Sequence, residues 1–445
     1  MKTLDDDRRA APGFTKFDVN GTALTNKLPA LLRLLGAVAV IVAMYSFIAK
    51  GWESGNDVYH YLLLLGHTAA LAVIGLASGH WLKEGKGARL LLSLALVSVP
   101  ANFAVLGAFL YSQLPGVDVS RYPHYVAWTT DSLQTALFVV AGAMPVLVPV
   151  TLVGFTVLAR SLSRKLSVLF LISNAMLLLP VRDPHWIGWL VLGLLLGTVV
   201  LSHRALRSHT AARTREGITA LILQALPMAV LVGRSLWLYS ADLFLISVIF
   251  VALYFTLRQI ALHLDAGSVV RKAVDALSAL PAAASGLWLG AALNEAAFIP
   301  HELAFPCGGL VSAALLYDLS LRSVGAGELY RRIATLGLTV GMIANLLLYS
   351  SLLAAMACVI VGLVLLVFGY MHQQSRIFIG GVVLMLAAIA ERTYELVHHF
   401  DLHGWLALAV LGIVAIVFAS VMETQGGNLK LRLSAWRDRF RHWKR

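Results

Sequence analysis

Apolar residues dominate this chain in runs far longer than a strand or a surface helix needs. A helix rising about 1.5 Å per residue crosses the hydrocarbon core in about 20 mainly apolar residues. Fourteen runs approach that length, with cores at Leu31–Ala49, Tyr59–Gly79, Leu90–Tyr111, Leu133–Ala159, Leu166–Leu179, Trp186–Leu201, Gly217–Gly233, Leu243–Leu262, Ala273–Leu293, Leu303–Leu321, Ile333–Tyr349, Leu352–Tyr370, Ile377–Val397 and Trp405–Met422. Two separators are very short, Pro180-Val181-Arg182-Asp183-Pro184 after the fifth run and Ser350-Ser351 after the eleventh. Either pair can therefore be two spans or a re-entrant hairpin. The pattern predicts an all-α polytopic membrane protein: a tail over 1–30, a membrane domain of about 14 helices over 31–422, and a tail over 423–445.

Composition agrees, because 59% of the 445 residues are hydrophobic and 13% charged, against about a quarter charged in soluble domains. The net charge of +12 would suggest nucleic acid in a soluble protein, but here the cations sit between the apolar runs and set topology. With the N-terminus inside, 30 of the 35 Lys and Arg fall in cytoplasmic segments, leaving Lys50, Arg121, Arg182, Arg234 and Arg392 outside. That asymmetry predicts cytoplasmic termini and a multi-pass protein of the inner (plasma) membrane. The same assignment makes the external face acidic. Residues 1–30 carry Asp5-Asp6-Asp7 and lack a small-residue cleavage site, so a retained cytoplasmic tail is expected there.

The last residues alternate Trp436, Phe440 and Trp443 with cations that include Arg437 and Arg439. On a helix these separate into an apolar and a cationic side, the pattern of a segment lying on anionic lipids. Cys307 and Cys358 form neither a disulfide framework nor a metal pattern and read as small buried hydrophobes.

Polar groups inside the runs are few and costly, and so carry the chemistry. His67 lies within the second run, where a neutral imidazole bonded between helices competes with a proton or ligand role. Asp318 lies near the inner end of the tenth. Several outward-running helices carry one interior amide each: Asn102, Asn174, Gln224 and Asn345. Pro100, Pro145, Pro149, Pro227 and Pro281 mark kinks or breaks that can pack or can line a cavity. A faint internal repeat sets Gly85-Lys86-Gly87 before Asn102 and Gly325-Ala326-Gly327 before Asn345.

The densest chemical signal is external. Glu295, His301 and Glu302 fall in one connection, and Glu391, Arg392, Glu395, His398 and His399 in another, at helical spacings that could converge on a divalent cation or a substrate. The competing reading is a solvated turn in which Arg392 pairs with Glu391 or Glu395. No other cofactor is predicted.

The first outer loop, Trp52-Glu53-Ser54-Gly55-Asn56-Asp57, resembles that of membrane glycosyltransferases using polyprenyl-phosphate sugars. The resemblance rests on acidic residues in one short loop, and implies a carboxylate acting as general base or metal ligand. The larger external domain of those enzymes has no counterpart here.

Three function classes follow. They are a transporter or flippase of a small molecule or lipid-linked substrate, a non-catalytic scaffold bound to a membrane-protein partner, and an enzyme on a polyprenyl-phosphate-linked substrate.

Overall fold

The computed structural model describes residues 21–49, 56–81, 83–123, 126–208, 214–239, 241–265, 267–297, 299–323, 325–399, 416 and 420. Within them run fourteen α-helices and one short 3₁₀ turn, with no strand among the described residues. The helices are α1 (Gly21–Ala49), α2 (Asp57–Trp81), α3 (Gly85–Ser112), α4 (Leu133–Leu158), α5 (Ser163–Leu178), α6 (Pro184–Ser208), α7 (Arg215–Leu223), α8 (Leu226–Leu238), α9 (Leu243–Leu262), α10 (Val269–Glu295), α11 (His301–Arg322), α12 (Gly327–Tyr349), α13 (Leu352–Met371) and α14 (Ser375–His399). Among the described residues, twelve stretches are long and apolar enough to cross a membrane. The chain is an all-α, multi-pass membrane protein.

Thirteen of the fourteen apolar runs match these helices, with α7 and α8 sharing the seventh. The eleventh and twelfth runs become two helices of spanning length, α12 and α13. They are separated by Ser350, which takes the left-handed conformation at φ 42°, and by Ser351, which caps α13 through Ala354 N–H. The fifth run yields the 16-residue α5, short of a full crossing by the length criterion above. The fourteenth run, the basic tail with Trp436, Arg437, Arg439, Phe440 and Trp443, and most of the first outer loop lie outside the described residues.

The chain forms two compact units, Met1–Pro180 with Arg204–Val230, and Val181–His203 with Leu231–Arg445. In the first, α3 is the central helix, packed by α1, α2, α4 and α5. Leu92, Leu96, Val99, Phe103, Leu106 and Phe109 are almost fully buried along it. Gly107 is required toward its C-terminal end, because a Cβ there would stand 2.1 Å from the carbonyl oxygen of Leu177 on α5. Glu84 caps α3 through the Gly87 N–H.

In the second unit α10 packs on α9 and α11, α11 on α12, and α13 on α14. Lipid tails are as apolar as leucine, so helices in a membrane adhere where small residues let backbones approach. Gly286 and Gly308 do this between α10 and α11: a Cβ on either would come within 2.1 Å of the other's carbonyl oxygen. Buried hydroxyls add links, Ser247 Oγ donating to Ser285 O and Ser312 Oγ to Ala283 O, each at 2.8 Å. Cys358 is buried as expected, whereas Cys307 is exposed on α11. The expectation for Cys307 fails because in a membrane protein an apolar side chain gains as much from facing lipid as from facing the core.

Candidate functional site

The most unusual feature in the first unit is the passage from α7 into the first turn of α8. Together they occupy one apolar stretch of 23 residues, Glu216–Leu238, long enough to span. The helix nevertheless stops at Leu223 and restarts at Leu226. Its last turn tightens, with Gln224 N–H bonding Leu221 O at 3.2 Å and Ala225 N–H bonding Ile222 O at 3.0 Å. Pro227 supplies the cause, since it has no N–H to return to the Leu223 carbonyl and its ring clashes with a straight helix there. Pro100, Pro145, Pro149 and Pro281 lie within helices that continue past them.

Gln224 sits at this break and is 3% exposed. Its Nε2 donates to Leu166 O on α5 at 3.0 Å, while its Oε1 has no hydrogen-bond partner. Ser167, adjacent to that carbonyl and fully buried, likewise has no partner for its Oγ. Two turns further along the same face of α5, Asn174 donates to Phe170 O at 2.8 Å and leaves its Oδ1 unpaired, as Ser173 does its Oγ. On α3, Asn102 donates to Ser98 O at 2.9 Å and to Thr68 Oγ1 at 2.8 Å, and Ser98 Oγ donates to the same hydroxyl. Asn102 Oδ1 is unpaired. All three amides are held by their N–H groups and offer a carbonyl oxygen to the interior. An unmade hydrogen bond on a buried group costs about 1–3 kcal/mol, so each of these oxygens is a candidate acceptor for a ligand.

His67 borders a small void of about 200 Å³ beside Ala43, Met44 and Phe47. Its Nδ1 has no partner, so at that atom the imidazole does not make the interhelical bond expected of it. Asp57, from the first outer loop, accepts from Thr129 N–H at 2.8 Å and from its hydroxyl at 3.1 Å.

The second unit holds an ion-pair network that sequence patterning understated. Asp318 on α11 accepts from Tyr254 Oη at 2.7 Å and pairs with Arg322 at 2.9 Å and Arg258 at 3.5 Å. Arg258 on α9 is 5% exposed and Asp275 on α10, in electrostatic range of it, 4%. Counting Arg258 with the cytoplasmic cations hid this role. The signal was present, because Arg258 falls inside the apolar run Leu243–Leu262.

Above the network, α10, α11 and α12 form an open groove of about 600 Å³. It exists because Gly337 and Gly341 line it and carry no side chain, and a Cβ at either would meet nothing within 4 Å. Asn345 closes one end, donating to the main-chain oxygen of Glu302 at 2.8 Å.

At the connection between α10 and α11, His301 Nδ1 lies 3.0 Å from Asn294 Oδ1, and Glu295 is exposed. Arg392 pairs with both Glu391 and Glu395 and donates to Ser350 O at 2.8 Å. No hydrogen bond or ion pair joins the carboxylates of these two connections among the described residues, nor do three or more His, Cys, Asp or Glu gather there as a metal site. The side chains of His398 and His399 lie outside the description.

No protein-family model matches the chain, and neither curated proteins nor solved structures match it.

Proposed function

We propose that this protein is a transporter or flippase of the inner (plasma) membrane, moving a small molecule or a lipid-linked substrate. One observation carries the reading: a membrane-length helix interrupted at Gln224-Ala225, with a buried amide oxygen unpaired at the break. Discontinuous helices recur in secondary transporters because the two half-helices turn opposite dipole ends toward a site near mid-membrane. Here the C-terminal end of α7 attracts positive charge and the N-terminal end of α8 negative charge. Gln224 lies about 12 Å into the span, counted at helical rise from Glu216.

The test is transport by purified protein in vesicles, with a panel of amino acids, sugars and organic anions as solutes and a fluorescent polyprenyl phosphate as the lipid-linked probe. Movement of at least one of them should fall tenfold or more in Pro227→Ala, which permits a continuous helix, while that variant still folds. Inactivity of the wild type toward the whole set, with stoichiometric co-purification of another membrane protein, would overturn the reading.

The groove favours a second reading as a partner-binding subunit. Gly337-Leu338-Thr339-Val340-Gly341 has the small-xxx-small spacing on which transmembrane helices dock, and its face is open.

A further inference from the structure

We infer that the break between α7 and α8 holds a partly hydrated monovalent cation on Gln224 Oε1, Ser167 Oγ and the Leu223 carbonyl. The inference deepens the transport reading and rests on it for its purpose, since a cation held there would couple transport to an ion gradient. Binding itself can be measured independently.

Gln224 Oε1 and Ser167 Oγ are buried without partners on two helices that the Gln224–Leu166 hydrogen bond brings together. The Leu223 carbonyl loses its helical donor to Pro227, and Leu223 is itself 5% exposed. Two of these three atoms can only accept, and the third accepts through a lone pair. Gln224 and the Leu223 carbonyl stand at the C-terminal end of the nine-residue α7, and Gln224 is tied to the carbonyl of Leu166, the residue before Ser167.

A single water could give its two protons to only two of these three oxygens. A cation can be ligated by all three at once. The ligands are neutral. The nearest acid along the helix, Glu216, lies at the far end of α7 and pairs with Arg89. Divalent ions are held by carboxylates, so this oxygen set suits a single charge. Arg164 and Lys165, close in sequence to Ser167, are exposed and screened by water.

The experiment is thermal unfolding of the full-length purified protein in NaCl, KCl or N-methylglucamine chloride at fixed ionic strength, with direct binding of radioactive Na⁺ alongside. The wild type should gain a saturable rise of about 3 °C or more in Na⁺ or K⁺ over N-methylglucamine, as linkage to a ligand well above its Kd requires. Ser167→Ala should weaken the apparent affinity about tenfold, and Gln224→Leu should abolish the response. Ser167→Thr keeps a hydroxyl in place and leaves the Gln224–Leu166 hydrogen bond intact, so it should retain the response even if Gln224→Leu does not fold. Equal melting in all three salts, or an unchanged response in Ser167→Ala together with Gln224→Leu, would overturn the inference. Transport without any dependence on Na⁺ or K⁺ defeats the inference alone. A cation-dependent rise in a protein that moves none of the solutes defeats the transport reading alone.

Discussion

At the residue scale, the membrane interior raises the cost of every unpaired polar atom, and the interior polar groups of this protein fall into two kinds. The half-buried Asp318 is engaged by Tyr254, Arg322 and the buried Arg258, and binds α9 to α11. The amides Asn102, Asn174 and Gln224 are engaged on one side only. For the first kind, removing one partner should cost more than removing both, because a lone buried charge keeps its desolvation penalty. Arg258 is nearly inaccessible, so Asp318→Asn should destabilise by about 1–3 kcal/mol. Combining it with Arg258→Met should recover part of that loss, measured as unfolding midpoints in one detergent. Strict additivity of the two substitutions would show that the pair is not coupled.

The interior amides were visible in the sequence because Asn and Gln stand out in apolar runs. Which atom of each is satisfied was not visible. That depends on carbonyls contributed by other helices, such as Leu166 for Gln224, 58 positions away.

At the element scale, glycines do opposite jobs on neighbouring helices. Gly308 on α11 lets α10 approach, while Gly337 and Gly341 on α12 hold space open. Gly308→Leu should therefore force α10 and α11 apart and destabilise by about 1–3 kcal/mol, the range for overpacking. Gly337→Leu should leave the melting temperature within about a degree of wild type, since surface changes away from packed features stay within about half a kcal/mol. It should also reduce crosslinking to any helix docked in the groove. A loss of stability from Gly337→Leu comparable to that from Gly308→Leu would show the groove to be closed.

Apolar length and turn residues located thirteen helices from sequence alone. The break at Gln224 was foreshadowed by Pro227, while Pro100, Pro145, Pro149 and Pro281 left their helices running on. Proline removes one hydrogen bond wherever it stands, but whether the helix stops depends on what neighbouring groups offer the freed carbonyls.

For the whole molecule, the distribution of Lys and Arg makes a topological prediction. Alkaline phosphatase fused after Asp131, Asp242 or Leu402 should be active, and fused after Arg164, Arg213 or the C-terminal Arg445 inactive. Activity at the C-terminus would break the even count of crossings and move the tail to the outer face.

Periodicity, run length and charge alternation were enough to determine that the chain is a helical multi-pass protein, because crossing a bilayer imposes a local requirement on each segment: about 20 apolar residues whose backbone is satisfied within the helix. Tertiary structure alone decided which polar atoms meet. It moved Arg258 from a topological charge to a partner of Asp318, and left Gln224 Oε1 and Ser167 Oγ unpaired on neighbouring helices. Those outcomes depend on the packing of helices distant in sequence, where a shift of a single turn, about 5.4 Å, exchanges one partner for another.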